Sequence, residues 1–197
     1  MKKRLAFTTK DGRRGVVRPA SPADAKACLA IVWEATQERP RTLMTSPEEF
    51  WTPRLWRKHR RDWGPDGVTL VAEVGGKVVG NLGVERGRRP RERHLCEFGV
   101  SVGRAYRDIG VGRAMLEVLE MWAKDAGVEK IMLRVFDSNA RGRSLYEKMG
   151  YFSEGVERRA VKFPDEYIDA IRMAKFVGGL DAGPAAAPRS ASRRSRT

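Results

Sequence analysis

The run RDIGVG at positions 107–112 holds the residues best suited to chemistry, because Gly110 and Gly112 stand two positions apart. The run follows an apolar segment typical of a strand and precedes a long amphipathic helix. Glycine lets the backbone turn sharply and a ligand approach closely. A helix N-terminus adds unpaired N–H groups and the positive end of the helix dipole. The spacing therefore predicts a cradle for an anion such as a pyrophosphate.

Two common nucleotide motifs do not fit this run. A P-loop ends in Gly-Lys-Ser/Thr, whereas Arg113 and Ala114 follow Gly112. A dinucleotide fingerprint needs a third glycine where Met115 stands, and an acidic residue about twenty positions further on. The strand before the run is also the third of a predicted meander rather than the first of a β-α-β unit. Both motifs are therefore excluded.

The periodicity of the chain predicts the elements that must position this cradle. Strands are predicted at residues 14–18, 68–74, 77–84, 94–102, 130–136, from 151 to 156 and beyond, and 167–176, and helices at 22–37, 46–62, 110–126 and 138–149. Gly75 and Gly76 indicate a two-residue hairpin. The helix between the strands at 94–102 and 130–136 requires these strands to pair in parallel. The fold class is therefore α/β, with a mixed, mostly antiparallel central sheet flanked by helices.

Length and composition indicate one domain with a short tail. The chain has 197 residues, of which 41% are hydrophobic and 32% charged. No apolar run approaches the roughly 18 residues needed to span a bilayer, so no membrane partner is expected. The basic opening lacks the apolar stretch of an export signal, which predicts a cytoplasmic protein. We place the domain at residues 1–178 and expect residues 179–197, rich in Ala, Pro, Ser and Arg, to be disordered.

The cysteines and the basic clusters suggest little chemistry of their own. Cys28 and Cys96 lack metal-ligand spacing and are expected to be buried, and no metal site is predicted. The net charge is +14, with dense clusters at residues 54–61 and 86–93. Such clusters can bind nucleic acid or the ribosome, but they lack the interleaved aromatics of a single-strand platform. Solvated loops are the favoured interpretation.

Two segments together resemble the GCN5-related N-acetyltransferase (GNAT) superfamily. Residues 97–112, EFGVSVGRAYRDIGVG, are similar to the segment that carries its Gln/Arg-x-x-Gly-x-Gly/Ala motif, with Arg107, Gly110 and Gly112 at the fixed positions. Residues 139–151, NARGRSLYEKMGY, resemble the next motif, in which an Asn precedes a Tyr by seven residues. One helix and one strand separate the two segments, as in the family. The resemblance covers residues 13–177.

The chain departs from the family pattern at a few positions. Asp108 stands where the family often has Gly, at a variable position. Gly142 and Arg143 replace the usual Ala-Ile of the second motif. A glycine inside a helix costs about 1 kcal/mol relative to alanine, so this departure needs a structural reason.

The resemblance implies an enzyme that moves an acetyl group from acetyl-CoA, its co-substrate, to a primary amine of a small molecule or a protein N-terminus. It implies that the pantetheine arm pairs with the strand at residues 98–102 and that backbone amides hold the pyrophosphate. Arg107 and Arg113 are placed to assist with phosphate charge. The cofactor-binding residues expected from it are Val100, Val102, Arg107, Ile109, Gly110, Val111, Gly112, Arg113 and Asn139.

Tyr146 and Glu97 are the candidate catalytic residues. The resemblance places Tyr146 near the cofactor sulfur, where a phenol could protonate the leaving thiolate; packing in the core is the alternative. Glu97 is a carboxylate inside a strand, where burial would need a reason. It is the candidate base, acting through water, unless it pairs with an arginine or faces solvent. His94 is a weaker candidate, and Glu85 is the reserve carboxylate.

Two further functions stay open at this stage. The fold could serve as an acyl-CoA-binding regulatory module without turnover, or the chain could associate with the ribosome or nucleic acid. Association of two copies as a homodimer is also left open. The acceptor amine is not identified by the residues.

Overall fold

The structure, a computed structural model, describes residues 4–45, 52–54, 56 and 66–177. The strands in this part are β1 Leu5–Thr8, β2 Arg14–Pro19, β3 Gly67–Val74, β4 Lys77–Arg86, β5 Leu95–Val102, β6 Lys130–Phe136, β7 Phe152–Lys162 and β8 Tyr167–Phe176. They form one sheet in the order β1-β2-β3-β4-β5-β6-β8-β7. The predicted α/β class is confirmed. Most of the helix expected at 46–62 and the whole tail expected to be disordered at 179–197 lie outside the described residues.

The strand β1 is not predicted by the periodicity, because only four residues form it. It pairs with β2 in antiparallel fashion, with Phe7 opposite Gly15. A Cβ atom at Gly15 would lie 2.5 Å from Cζ of Phe7. The absence of a side chain on Gly15 therefore makes the room in which the Phe7 ring packs.

The hairpin between β3 and β4 follows the prediction from its glycines. Gly75 and Gly76 form its turn with φ of 56° and 76°. These left-handed conformations are strained for residues with a side chain and match the right-handed twist of the flanking strands. The meander β3-β4-β5 is thereby set in register, with Glu85 opposite Glu97.

The neighbouring strands β5 and β6 separate after a short contact. They form the one parallel pair among the described strands, over Leu95–Glu97 and Lys130–Met132. Beyond Glu97, β5 pairs only with β4, and β6 pairs only with β8. The backbone edges of the two strands that face each other are thus left open, and the sheet splits into a V whose apex lies at Glu97.

Three α-helices lie wholly within the described residues: α1 Ala25–Thr36, α2 Val111–Asp125 and α3 Ala140–Lys148. The stripe predicted on α2 is buried against the sheet and consists of Val111, Met115, Leu116, Leu119 and Trp122. On the other face, α1 packs through Ala25, Cys28 and Leu29 against Val71. Cys28 and Cys96 are both buried, as expected.

The N-terminal end of α1 is fixed to the sheet by a buried carboxylate. Asp24 accepts hydrogen bonds from the Ser21 amide at 2.6 Å and from Nη1 of Arg18 at 2.8 Å. The Arg18 hydrogen bond is the largest of the effects that lower the pKa of Asp24 to about 2, and the Ser21 contacts add to it against the effect of burial. Because α1 is anchored here, the segment that follows its C-terminal end has a defined starting point.

Candidate functional site

A cavity of about 1150 Å³ opens where β5 and β6 separate. Its walls are the end of β5 and the following loop, the first two turns of α2, the length of α3, the end of β1, and residues 35–43 at the end of α1 and beyond it. This volume suits a large ligand rather than a metal ion or a water cluster. Nine of the eleven predicted site residues line it: Val100, Val102, Arg107, Ile109, Gly110, Gly112, Arg113, Asn139 and Tyr146. The side chain of Val111 is in the core, and Glu97 lies outside the cavity wall.

The predicted anion cradle has the geometry of an open helix N-terminus. Gly110 caps α2 with a φ of 99°, a left-handed conformation that favours glycine. The first backbone hydrogen bond of α2 runs from the Ala114 amide to the Gly110 carbonyl at 3.1 Å. The three amides before it, at residues 111–113, therefore have no partner inside the helix and can bind an anion.

Gly112 also allows α2 and α3 to approach each other. A Cβ atom at this position would lie 2.9 Å from Cδ2 of Leu145, closer than ordinary packing permits. The second glycine of the motif thus makes room for the Leu145 side chain between the two helices and keeps access to the cradle open.

The side chain of Arg107 turns away from the cradle. Its Nε donates to the carbonyl of Val102 at 2.8 Å, and its Nη2 lies 2.5 Å from Oε1 of Glu38. The Arg107 guanidinium therefore joins the end of β5 to the segment after α1 in this structure. Arg113 is exposed at the cavity and has no carboxylate partner among the described residues.

Asn139 begins α3 as its N-cap. Its side-chain oxygen accepts from the Gly142 amide at 2.9 Å. A Cβ atom on Gly142 would lie 2.9 Å from Nδ2 of Asn139. The unexpected glycine of the second motif thus stands in the first turn of the helix and makes room for the Asn139 side chain.

Tyr146 is buried at the cavity wall and packs edge-to-face against two aromatic rings. Its ring centroid lies 6.0 Å from that of Phe98 and 6.0 Å from that of Tyr151. Burial raises the pKa of Tyr146 to about 12, so the phenol stays protonated across the physiological range. The neighbouring Tyr151 also has a buried hydroxyl, which has no hydrogen-bond partner among the described residues.

Glu97 is exposed at the apex of the V, on the sheet face opposite α2. Side chains alternate along a strand, so Glu97 shares its face with Ser101 of the cavity wall, whereas Phe98 faces the α2 core with Tyr146. Tyr146 and Glu97 therefore lie on opposite sides of β5, next to the point where it leaves β6. Glu97 and Ser101 are four residues apart, about 13 Å along the strand.

The segment after α1 forms a cavity wall that the sequence motifs do not reveal. Glu38 is buried, and its Oε2 accepts from Thr42 at 2.9 Å. Burial acts to raise the pKa of Glu38, but the hydrogen bonds from Arg107 and Thr42 outweigh it and lower the pKa. Glu38 and Arg107 are 69 positions apart, so no local spacing could have indicated this pair.

The reserve candidates and the basic loop lie elsewhere. His94 is exposed before β5 and does not line the cavity, and its carbonyl accepts from the amides of Glu129 and Lys130. In the basic cluster at 86–93, three arginines face carboxylates, in the pairs Arg88–Glu85, Arg89–Glu92 and Arg93–Asp66. These ion pairs leave less free positive charge for a polyanion than the sequence suggests.

The described residues contain no cluster of three or more His, Cys, Asp or Glu that could hold a metal ion. Within the same part of the chain, no helix is long and apolar enough to cross a membrane.

Known proteins share both the sequence pattern and the fold. The profile of the Acetyltransferase (GNAT) family matches residues 31–151. The chain is 34% identical over 122 residues to the L-amino acid N-acetyltransferase AaaT of Escherichia coli K12, which covers 61% of this chain and 75% of that protein. It is 36% identical over 77 residues to the ribosomal protein bS18-alanine N-acetyltransferase of the same strain, covering 39% of this chain and about half of that protein, 52%.

A solved structure agrees with the topology. The protein yncA of Salmonella typhimurium, solved with its cofactor acetyl-CoA, matches with a TM-score of 0.74 over 88% of this chain and 99% of that chain. Its sequence identity is 21%, so the likeness concerns the fold.

Proposed function

Because the chain belongs to the acetyltransferase (GNAT) family and is an acetyl-CoA-dependent N-acetyltransferase, we propose a role for the cavity beside the end of β5. In it, an acetyl group passes to the primary amine of a small molecule or a protein N-terminus. The observation that carries the proposal is the split of the sheet: the anion cradle and Tyr146 line the cavity, and Glu97 lies outside its wall at the apex of the V.

The residues present fit acetyl-CoA, which supplies an activated acetyl thioester. The free amides at residues 111–113 suit its pyrophosphate, and the exposed Arg113 adds positive charge beside them. The open edge of β5 offers the backbone groups of Val100 and Val102 to the pantetheine arm. Asn139 contributes to the same wall through its amide group. Arg107 would act on the cofactor indirectly, by holding the carbonyl of Val102.

Glu97 and Tyr146, the two catalytic candidates, take part in separate proton transfers on opposite faces of the sheet. Glu97, exposed to water, accepts the proton of the acceptor amine through water while the amine attacks the acetyl carbonyl carbon. Tyr146 donates to the sulfur as the carbon–sulfur bond breaks, and solvent returns its proton. Its pKa of about 12 keeps the phenol protonated until it donates.

The proposal is tested by mixing the purified protein with acetyl-CoA and a panel of amines, amino acids and peptides, and measuring the release of free thiol and the mass of the acetylated product. We expect thiol release that depends on the amine. Binding of acetyl-CoA without amine-dependent release would contradict the proposal and favour a regulatory acyl-CoA-binding module. Binding of RNA with a steep salt dependence and no turnover would favour the ribosome-associated alternative.

The acid is tested by replacing Tyr146 with phenylalanine. We expect kcat to fall about 100-fold with little change in the KM for acetyl-CoA, because a general acid acts in the transition state. Tyr151→Phe is the matched control, since it removes a buried hydroxyl from the same aromatic cluster outside the cavity wall. Equal rates for the two variants would remove Tyr146 from the mechanism.

The base is tested by the pH dependence of kcat/KM. We expect kcat/KM of the wild-type enzyme to fall at acidic pH, and we expect Glu97→Gln to lose this acidic limb. Glu85→Gln, which changes the facing carboxylate on β4, is the control. Loss of the limb only in the Glu85 variant would transfer the role to Glu85. The cytoplasmic location stays a prediction from the sequence, and the association of two copies stays open.

A further inference from the structure

The cavity wall formed by residues 38–42 is held at two points by buried charges. Glu38 is bound by Arg107 and Thr42 at one point. At the other, the buried Arg41 lies 2.7 Å from Asp165, contacts Glu166 and stacks over the ring of Phe163 at 4.2 Å. Both points join this segment to distant parts of the chain, which fixes the backbone between them.

Arg39 lies between the two fixed points and lines the cavity with an exposed side chain. Its Nη1 donates to the carbonyl of Glu38 at 2.9 Å. No carboxylate lies within ion-pair distance of Arg39 among the described residues, and the nearby Asp165 is already bound to Arg41. The wall therefore presents a guanidinium with most of its donors unused.

The phosphates of the cofactor have other cations closer to the cradle. Arg113 belongs to the first turn of α2. The Lys10 amide donates to the carbonyl of Ile109 at 3.0 Å, which places Lys10 beside the cradle. Arg141 lies 3.5 Å from Asp108 of the same loop. Arg39 lies on the segment that Arg107 holds and is not needed to supply positive charge to the cradle. Arg104, whose exposed side chain also lines the cavity, is the cation to compare with it.

We propose that Arg39 binds a carboxylate of the acceptor, and that the acceptor is therefore a free amino acid. The inference rests on the proposed acetyl transfer to an amine and narrows its substrate class. A guanidinium can bind a carboxylate through two parallel hydrogen bonds. A free amino acid has a carboxylate next to its amine, whereas in a peptide N-terminus that carboxyl is an uncharged amide. Arg39 therefore distinguishes the two kinds of acceptor.

The inference is tested with matched acceptors that differ only in the carboxyl group: a free amino acid, its amide and a short peptide that begins with it, for several side chains. For the wild-type enzyme we expect kcat/KM for the acid to exceed that for the amide by at least about tenfold. Arg39→Gln should lower kcat/KM for the acid about 10- to 100-fold and leave the amide unchanged, which is the loss of a charged hydrogen-bonded pair. Arg39→Lys should recover part of this preference, because it keeps the charge without the planar fork.

The KM for acetyl-CoA serves as the second measurement, and Arg91→Gln, an exposed change outside the cavity, serves as the control. The KM of Arg39→Gln for acetyl-CoA and the kinetic constants of Arg91→Gln should match wild type. An equal loss for acid and amide in Arg39→Gln, or a raised KM for acetyl-CoA, would overturn the inference. Wild-type preference for amides or peptides would also overturn it and would leave the proposed acetyl transfer intact. Absence of amine-dependent thiol release with every acceptor would overturn both.

Discussion

The two ends of the cavity are built in different ways. The cradle end consists of backbone amides and two glycines within residues 107–113. The other end, the wall at residues 38–42, is held by side-chain ion pairs to Arg107 and to Asp165 and Glu166. A backbone site depends on local conformation, whereas a side-chain site depends on charges brought together from distant positions.

The electrostatics of the two ends follow the same division. Near the cradle, the positive groups Arg113 and Lys10 are open to an incoming anion. In the wall, the charges of Glu38 and Arg41 are already neutralised by partners. Arg39 is the exception in the wall, which is why a single substitution there can test the choice of acceptor.

The largest expected effect comes from blocking the cradle end. Gly112→Trp should weaken the binding of acetyl-CoA about 100-fold or more, because an indole at this position covers the free amides and meets Leu145. The measurement is calorimetric titration with acetyl-CoA, together with circular dichroism to check folding.

Lys124→Trp is the control for this variant, since it places the same side chain at an exposed position in the last turn of α2. It should bind acetyl-CoA like wild type. A folded Gly112→Trp protein with unchanged affinity would show that the pyrophosphate is held elsewhere, and the contrast between the two ends would fail.

The cradle end could be predicted from the sequence because its information is local. The spacing of Gly110 and Gly112 before an amphipathic stretch indicates an open helix start, and Asn139 and Tyr146 lie within two helical turns of each other. The strands and helices were predictable for the same reason, since their periodic patterns are several residues long. The structure confirms the α/β class and the meander followed by a crossover.

The wall end could not be predicted because its contacts connect distant positions. The sequence around Glu38 contains no motif that predicts its contact. The sequence also does not determine whether the side chain of Arg107 points toward the cradle or away from it. The choice is made by the pair with Glu38 and the carbonyl of Val102. The strand β1 was missed because four residues, with apolar side chains only at Leu5, Ala6 and Phe7, give too short a pattern.

A smaller effect is expected from removing the ion pair between Glu38 and Arg107 at the wall end. Glu38→Gln should lower the free energy of unfolding by about 2 kcal/mol, because Arg107 would lose its charged partner. It should also raise the KM for the acceptor while leaving the affinity for acetyl-CoA near wild type. Urea denaturation measures the first quantity and initial rates the second. Glu92→Gln, which breaks an exposed pair with Arg89, should change stability by less than about 0.5 kcal/mol.

The stability difference between wild type and Glu38→Gln should also depend on pH. The pKa of Glu38 is lowered in the folded protein from an ordinary value of 4.5, so the ionised carboxylate stabilises the fold. This contribution is complete above pH 4.5 and is lost as the pH falls through the lowered pKa, because the unfolded chain takes up the proton first. Denaturation in steps from pH 7 to about pH 3 should therefore show the difference shrinking. A constant difference would mean that the pair is not held by the charge of Glu38.

The smallest effect is expected at the boundary of the cradle end, at Gly142. Gly142→Ala should push the Asn139 side chain from its position, since a Cβ atom there lies 2.9 Å from Nδ2. The lost N-cap costs about 1 kcal/mol, and the better helix propensity of alanine returns about the same amount. The free energy of unfolding should thus stay within about 0.5 kcal/mol of wild type.

The KM for acetyl-CoA should nevertheless rise about threefold in Gly142→Ala, as expected for the loss of one neutral hydrogen bond. Asn139→Ala should raise it by the same factor but should also lose the stability of the cap. Agreement of the two variants in KM, with a difference in stability, separates the two roles of the Asn139 side chain. If the KM for acetyl-CoA rises in Asn139→Ala but not in Gly142→Ala, the displaced Asn139 side chain still reaches the cofactor. Gly142 would then affect only the stability of the helix.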